Sequence, residues 1–343
     1  MITAYKAYLA ALDHGDVITA DREGEKAWQE AEKANNTKYG AVLAYNLAEL
    51  RVHYLPAKDA VTPAKRALTL SKTATDAALA SDQAQVLSAL TKLIARPNRK
   101  AARAMRRALN LVQPGQYNYP IFRAHYELMQ EADSRHEMET VLQEAKTSQE
   151  IYKTLDIGEP QTLASIKIFN ASAILVNSDY KEMQAAQKEF QSALNTLGPQ
   201  PYNRVNPLVL NIEIWSTIAN VVNEHNKKAK QVSMTLDLPK IVGRPDTCPK
   251  VEWIKRAIPN FSKLEIPRGF IGASIVQYSL GEDGIPYDVK IAAQLPVSQF
   301  GQMVAKAVTK WRAKPLTGVP MACRAYRKEL IKTVIPPEKK RLK

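Results

Sequence analysis

The sequence predicts a multidomain chain, with an all-α solenoid of helical hairpins over residues 1–230 and a small α+β domain over 231–343. Three observations lead there. A length of 343 residues exceeds one comfortable core, since domains usually run about 100–200 residues. Hydrophobic periodicity changes from a helical period before residue 230 to strict alternation after Gly269. Charge is also uneven. Of a net +14, residues 231–343 hold 20 Lys+Arg against 9 Asp+Glu, or +11, leaving only +3 to the first 230.

The first region is Ala-rich and short-linked, without the Val/Ile/Thr alternation of strands. The helix ends around Ala31, Ala67, Ala108 and Ala193 look alike and are spaced by 36, 41 and 85, with a weaker copy near Ile151 inside the last interval. A period of about 35–43 residues with two amphipathic helices per unit resembles the tetratricopeptide-like class of repeats. Hairpins are expected at 2–34, 39–72, 82–112, 117–155 and 160–197, with a closing helix at 206–228. Gly15-Asp16 supplies a turn, and Ala20, Ala27, Ala44 and Ala48 supply small residues for close helix approach. Pro63 and Pro97 fall near helix starts, where a missing amide costs little.

LGPQP at 197–201 breaks the last hairpin, and LPKIVGRPDTCP at 238–249 is too rich in Pro and Gly for helix. Between them, Gln231–Leu238 alternates like a first strand. GFIGASIVQYSLGEDGIPYDVKIAAQL from Gly269 then reads as two strands joined at Asp283-Gly284, whose residue types suit tight-turn angles. Ile271, Ala273 and Ile275 share one side, and Gly272, Ser274, Val276 and Tyr278 the other. A helix from Ser298 carries Phe300, Val304, Ala307, Val308 and Trp311 at helical spacing and stops before Pro315. Met321–Ile335 is expected as one long final strand.

This hairpin, the AKAVTKWRAKP helix end and the strand beyond resemble the TonB C-terminal domain. The resemblance implies a final strand at a sheet edge that pairs with an extended segment of an envelope or outer-membrane protein, and energy transduction to outer-membrane receptors or transporters. Met321, Cys323, Arg324, Tyr326, Arg327, Lys328 and Lys332 are the candidate partner-binding residues. Charges on such a strand also protect an edge from aggregation. Gly269, Gly272, Asp283, Gly284, Trp311 and Pro315 are expected to be structural, with Trp311 anchoring the helix to the sheet. Cys248 and Cys323 are either buried thiols or one disulfide, and a disulfide needs an oxidising compartment.

No phosphate-binding glycine loop, nucleophile elbow or zinc-protease helix occurs, and the five histidines are scattered singly. No enzyme, cofactor, metal or small-molecule substrate is therefore expected. The helical repeats are expected to bind another protein. The basic second domain offers an alternative, binding of nucleic acid or an anionic surface, although nucleic acid lacks a supporting motif. Met1–Asp16 lacks the features of a secretory signal, which taken literally points to the cytoplasm. The resemblance points instead to the periplasm, with a signal or anchor removed ahead of Met1.

Overall fold

A computed structural model describes residues 1–73, 79–225, 233–243, 245, 247–260, 270–296 and 300–335. Gly269, Gln231, Val232, Ser298, the end of the expected closing helix at 226–228 and residues 336–343 lie outside the described residues. Among the described residues the chain is mainly helical through residue 225 and carries an α+β part thereafter. It divides into two compact units, Met1–Gly158 and Glu159–Lys343.

The first unit contains α1 (Ile2–Asp13), α2 (Val17–Lys33), α3 (Thr37–Tyr54), α4 (Val61–Thr73), α5 (Ser81–Ala95), α6 (Arg99–Leu109), α7 (Tyr119–Ser134) and α8 (Met138–Thr154), with a single 3₁₀ turn at Ala57–Ala60. Consecutive helices pack as pairs, α1 on α2, α3 on α4, α5 on α6 and α7 on α8. Their starts are set by short polar side chains. Asp16 accepts from the Thr19 amide, Asn36 from Tyr39, Asn98 from Ala101 and Asn118 from Ile121, each capping an otherwise orphaned donor. Left-handed residues reverse the chain just before several starts: Gly15 at φ 69° ahead of Asp16, Asn35 at 51° ahead of Asn36, and His136 at 59° ahead of Glu137.

Small residues let the helices approach. Ala31, Ala67 and Ala108, three of the residues that align the sequence period, are all fully buried, on α2, α4 and α6. A β-carbon at Gly24 would sit only 3.1 Å from the Tyr8 ring. Polar contacts cross between helices at the surface. Arg51 on α3 donates to Asp21 at 2.6 Å and Glu25 at 2.9 Å on α2, and Arg66 on α4 grips Glu32 through two bonds of 2.7 Å.

The second unit starts with the helix pair α9 (Pro160–Asn177) and α10 (Met183–Leu197), on which Ala193 is again fully buried. Then come β1 (Gln200–Pro201), α11 (Pro207–His225), β2 (Ile241–Val242), β3 (Trp253–Lys255), β4 (Phe270–Leu280), β5 (Pro286–Leu295), α12 (Phe300–Val308), β6 (Arg312–Ala313), α13 (Met321–Arg324) and β7 (Arg327–Ile335). The change from helix to sheet thus lies inside this unit, because α11 packs against both α9 and the sheet.

The main sheet has the order β5-β4-β7 and is antiparallel throughout. β4 is central and buries both faces. Val276, Tyr278 and Leu280 meet Phe300, Val304 and Val308 of α12 together with Trp311, while Ala273 and Ile275 meet Leu210, Ile214 and Ile218 of α11. The alternation read from the sequence therefore separates two cores, since successive strand residues face opposite sides.

Three expected elements differ. Ser233–Leu238 is not a strand. Its backbone is held by side-chain amides, with Asn220 bonding both the Met234 amide and carbonyl, and Gln187 and Gln191 bonding Thr235 and Asp237. These amides satisfy the extended backbone in place of a neighbouring strand. Met321–Ile335 is not one strand either, because Pro320 caps the single helical turn α13, and Tyr326 at φ 50° turns the chain into β7. The α12 helix closes at Val308, so Trp311 lies in the connection beyond it.

Candidate functional site

The candidate site is the outer edge of β7, and its geometry is set from β4 outward. β4 pairs with β7 from Phe270↔Ile335 to Tyr278↔Arg327. On the far side of β7 no strand pairs among the described residues. An edge strand presents unpaired amides and carbonyls along its length, which is a template for another extended chain.

The hairpin that orients β4 and β5 turns at Asp283-Gly284. Asp283 Oδ1 accepts from the Ile285 amide at 2.9 Å, and Gly284 sits at φ 76°. Glycine is required there twice over, since a β-carbon would also collide with the Ala313 carbonyl of β6. The carbonyl of Gly284 accepts from the Ala313 amide at 3.0 Å, so the turn is sewn to the β3–β6 ribbon. Gly272 is buried in β4 opposite Thr333. Lys314 and Pro315 follow β6, where the Lys314 amide bonds the Glu252 carbonyl at 2.8 Å.

Trp311 holds the α12 face of the sheet. It is 3% exposed and donates from Nε1 to the Ala257 carbonyl at 2.9 Å. Trp253 and Tyr278 meet it edge-on at centroid distances of 5.1 and 6.0 Å. Arg256 lies 4.2 Å above the Trp311 ring and pairs with Glu329 of β7 at 2.5 Å. This stack links β7 to the core through one guanidinium, combining cation–π and charge-assisted bonding. Burial pushes the Tyr278 hydroxyl above its ordinary pKa, and Glu329 adds to the shift against the opposing Arg327.

The residues expected to meet a partner are brought together only in part. Cys323 is buried and disulfide-bonded to Cys248, 75 positions earlier in the chain. Arg324 is committed to structure, donating to the carbonyls of Val319 and Leu280 and to Glu282. Met321, on α13, reaches the Tyr287 hydroxyl of β5 through its sulfur. Arg327 bonds the Cys323 carbonyl at 2.9 Å, and Tyr326 meets Tyr202 edge-on at 6.0 Å. Among the strand's own candidates, Lys328 faces the α11 side, where it opposes the burial that raises Glu213, and Lys332 is exposed. Val334, half-exposed two positions on, belongs to the same edge and was missed because an isolated valine carries no partner signal.

No grouping of three or more His, Cys, Asp or Glu capable of holding a metal occurs among the described residues. Nor, among them, is any helix long and apolar enough to cross a membrane.

No protein-family model matches the chain, and no curated protein does. Among solved structures it is similar to the crystal structure of BtubC (BKLC) from P. vanneervenii, at 13% identity and a TM-score of 0.41, covering 64% of this chain and 98% of that one.

Proposed function

We propose that this chain is a non-catalytic interaction protein of the bacterial envelope, with a TonB-like last domain that docks an extended partner segment on the outer edge of β7. One observation carries the reading: β7 ends the β5-β4-β7 sheet with its outer side unpaired by any strand among the described residues. Backbone bonds along that edge would supply affinity, and Lys328, Lys332 and Val334 would select the segment by alternate side-chain contacts. The helix pairs, tetratricopeptide-like in period, serve as a scaffold for a second protein. The Cys248–Cys323 bond is consistent with an oxidising compartment and supports a periplasmic location. Energy transduction to outer-membrane receptors is the wider role that the TonB resemblance implies.

The charge of residues 231–343 supports a second reading, in which this domain binds nucleic acid or an anionic surface. It ranks lower because Arg256, Lys314 and Arg324 are already paired with Glu329, Glu252 and Glu282.

Hydrogen exchange of the full chain with extended peptides from outer-membrane proteins tests the docking. A docked peptide slows exchange along 327–335. Peptide binding that leaves those amides unchanged, or the absence of any bound peptide, overturns the reading.

A further inference from the structure

The most concentrated charge in the described structure lies on α6, in the unit whose overall charge is nearly balanced. RPNRKAARAMRR, residues 96–107, holds six cations and no acid. Ala102, Met105 and Ala108 bury one side of the helix, Arg99, Lys100, Arg103 and Arg107 are exposed on the other, and Arg96, the exposed C-cap of α5, precedes them. At the flank, Arg99 approaches Glu137 at 3.9 Å and Arg106 approaches Glu144 at 3.8 Å. Arg96, Lys100, Arg103 and Arg107 have no acidic partner among the described residues.

Lys100, Arg103 and Arg107 recur at helical spacing and form a stripe about 10 Å long. That is about one Debye length at physiological ionic strength, so their fields add rather than being screened from one another. Three unneutralised cations held this close repel each other, a cost that folding within the unit does not require, because the buried side of α6 alone packs it. One small anion would satisfy one or two of them, whereas an array of phosphates satisfies the whole row.

We infer that the exposed row of α6 is a docking surface for the phosphate headgroups of an anionic lipid bilayer. Two observations favour a bilayer over other polyanions. The row ends at Leu111, which is 54% exposed one turn beyond Arg107 and suits the boundary between headgroups and acyl chains. No aromatic side chain interleaves with Arg96, Lys100, Arg103 and Arg107 to stack on a nucleic-acid base, and the one amide among them, Asn98, is spent on the Ala101 amide and the Arg96 carbonyl. The disulfide, moreover, is consistent with a compartment where lipid phosphates rather than nucleic acids are at hand.

The test is co-sedimentation of the full chain with vesicles of phosphatidylcholine alone or mixed with phosphatidylglycerol. Binding is expected only to the mixed vesicles and is expected to weaken with added salt. Each cation near such a surface contributes roughly fivefold in affinity. Arg103→Gln should therefore cost about fivefold, and the combined Arg96→Gln, Lys100→Gln, Arg103→Gln and Arg107→Gln variant several hundredfold, on the same scale. A control removing four exposed lysines elsewhere, Lys146, Lys153, Lys181 and Lys188, as glutamines should bind nearly as the parent chain does. All these side chains are solvent-exposed, so folding is preserved, and circular dichroism checks it. Equal binding to both vesicle types overturns the proposal. So does an unaffected row variant, a control that loses as much, or row-dependent capture of duplex DNA or an acidic peptide more tightly than the mixed vesicles.

Discussion

The two compact units are held together by contacts of different range. In Met1–Gly158 each helix packs chiefly on the next one or two in sequence, through alanines and through ion pairs such as Arg51–Asp21 that reach only one helix back. In Glu159–Lys343, the central strand β4 pairs with β7, from Phe270↔Ile335 to Tyr278↔Arg327, and Cys248 is bonded to Cys323 across 75 positions. Local contacts build order in increments, as in repeat proteins. Long-range contacts must first close large loops and so concentrate stability in a few residues. Damage should therefore spread widely in the second unit and stay near its origin in the first.

The largest expected effect is at Trp311. Trp311→Ala removes a buried ring, its edge-on contacts and the donor to the Ala257 carbonyl, and should cost about 5 kcal/mol. Denaturant unfolding followed by hydrogen exchange should show protection lost across β4, β5 and β7 together. Loss confined to α12 would break the contrast. Next comes the disulfide. Replacing Cys248 and Cys323 by serine frees a loop of about 75 residues and should cost about 4 kcal/mol on the chain-entropy account, read as a lower midpoint in denaturant. A midpoint unchanged by reduction would show that the loop is closed by other contacts.

In the first unit, Leu47→Ala empties a fully buried site on α3 and should cost about 3 kcal/mol. Here exchange should rise in α2, α3 and α4 while α7 and α8 keep their protection; a uniform rise would make this unit as cooperative as the other. The smallest effect concerns pH. The bidentate bond from Arg66 holds the Glu32 carboxyl below the usual carboxylate range. A depressed folded pKa means that this stabilisation is present above the unfolded value and is lost as pH falls through the folded one. Because Glu32 is near the surface, the change should be slight. It should vanish in Arg66→Gln, as measured by thermal melts across the acid range, and a melt of that variant with the parent's acid dependence would rule the pair out as its source.

Most of the secondary structure was legible. All five expected hairpin positions hold helix pairs, because burial on one side of a helix imposes a period that survives whatever the partner is. The hairpin at Asp283-Gly284 was equally readable, since few residues accept its backbone angles. Two regions misled. The alternation of Ser233–Leu238 resembles a strand, yet the groups that satisfy its backbone are the side chains of Gln187, Gln191 and Asn220, distant in sequence and without a pattern of their own. Met321–Arg324 was read as strand because nothing local announces that Cys323 is tied to Cys248 or that Arg324 is needed by the Leu280 and Val319 carbonyls. Four of the seven expected partner-binding residues, Met321, Cys323, Arg324 and Tyr326, thereby lie outside β7.

By itself, the sequence determined where most helices and strands form and which side of each is apolar, because those properties follow from residue type and spacing along a few turns. The tertiary structure decided which strand has an open side, which cations are already paired, and which are left to solvent on α6. These depend on partners dozens of residues away, and no local period carries that information.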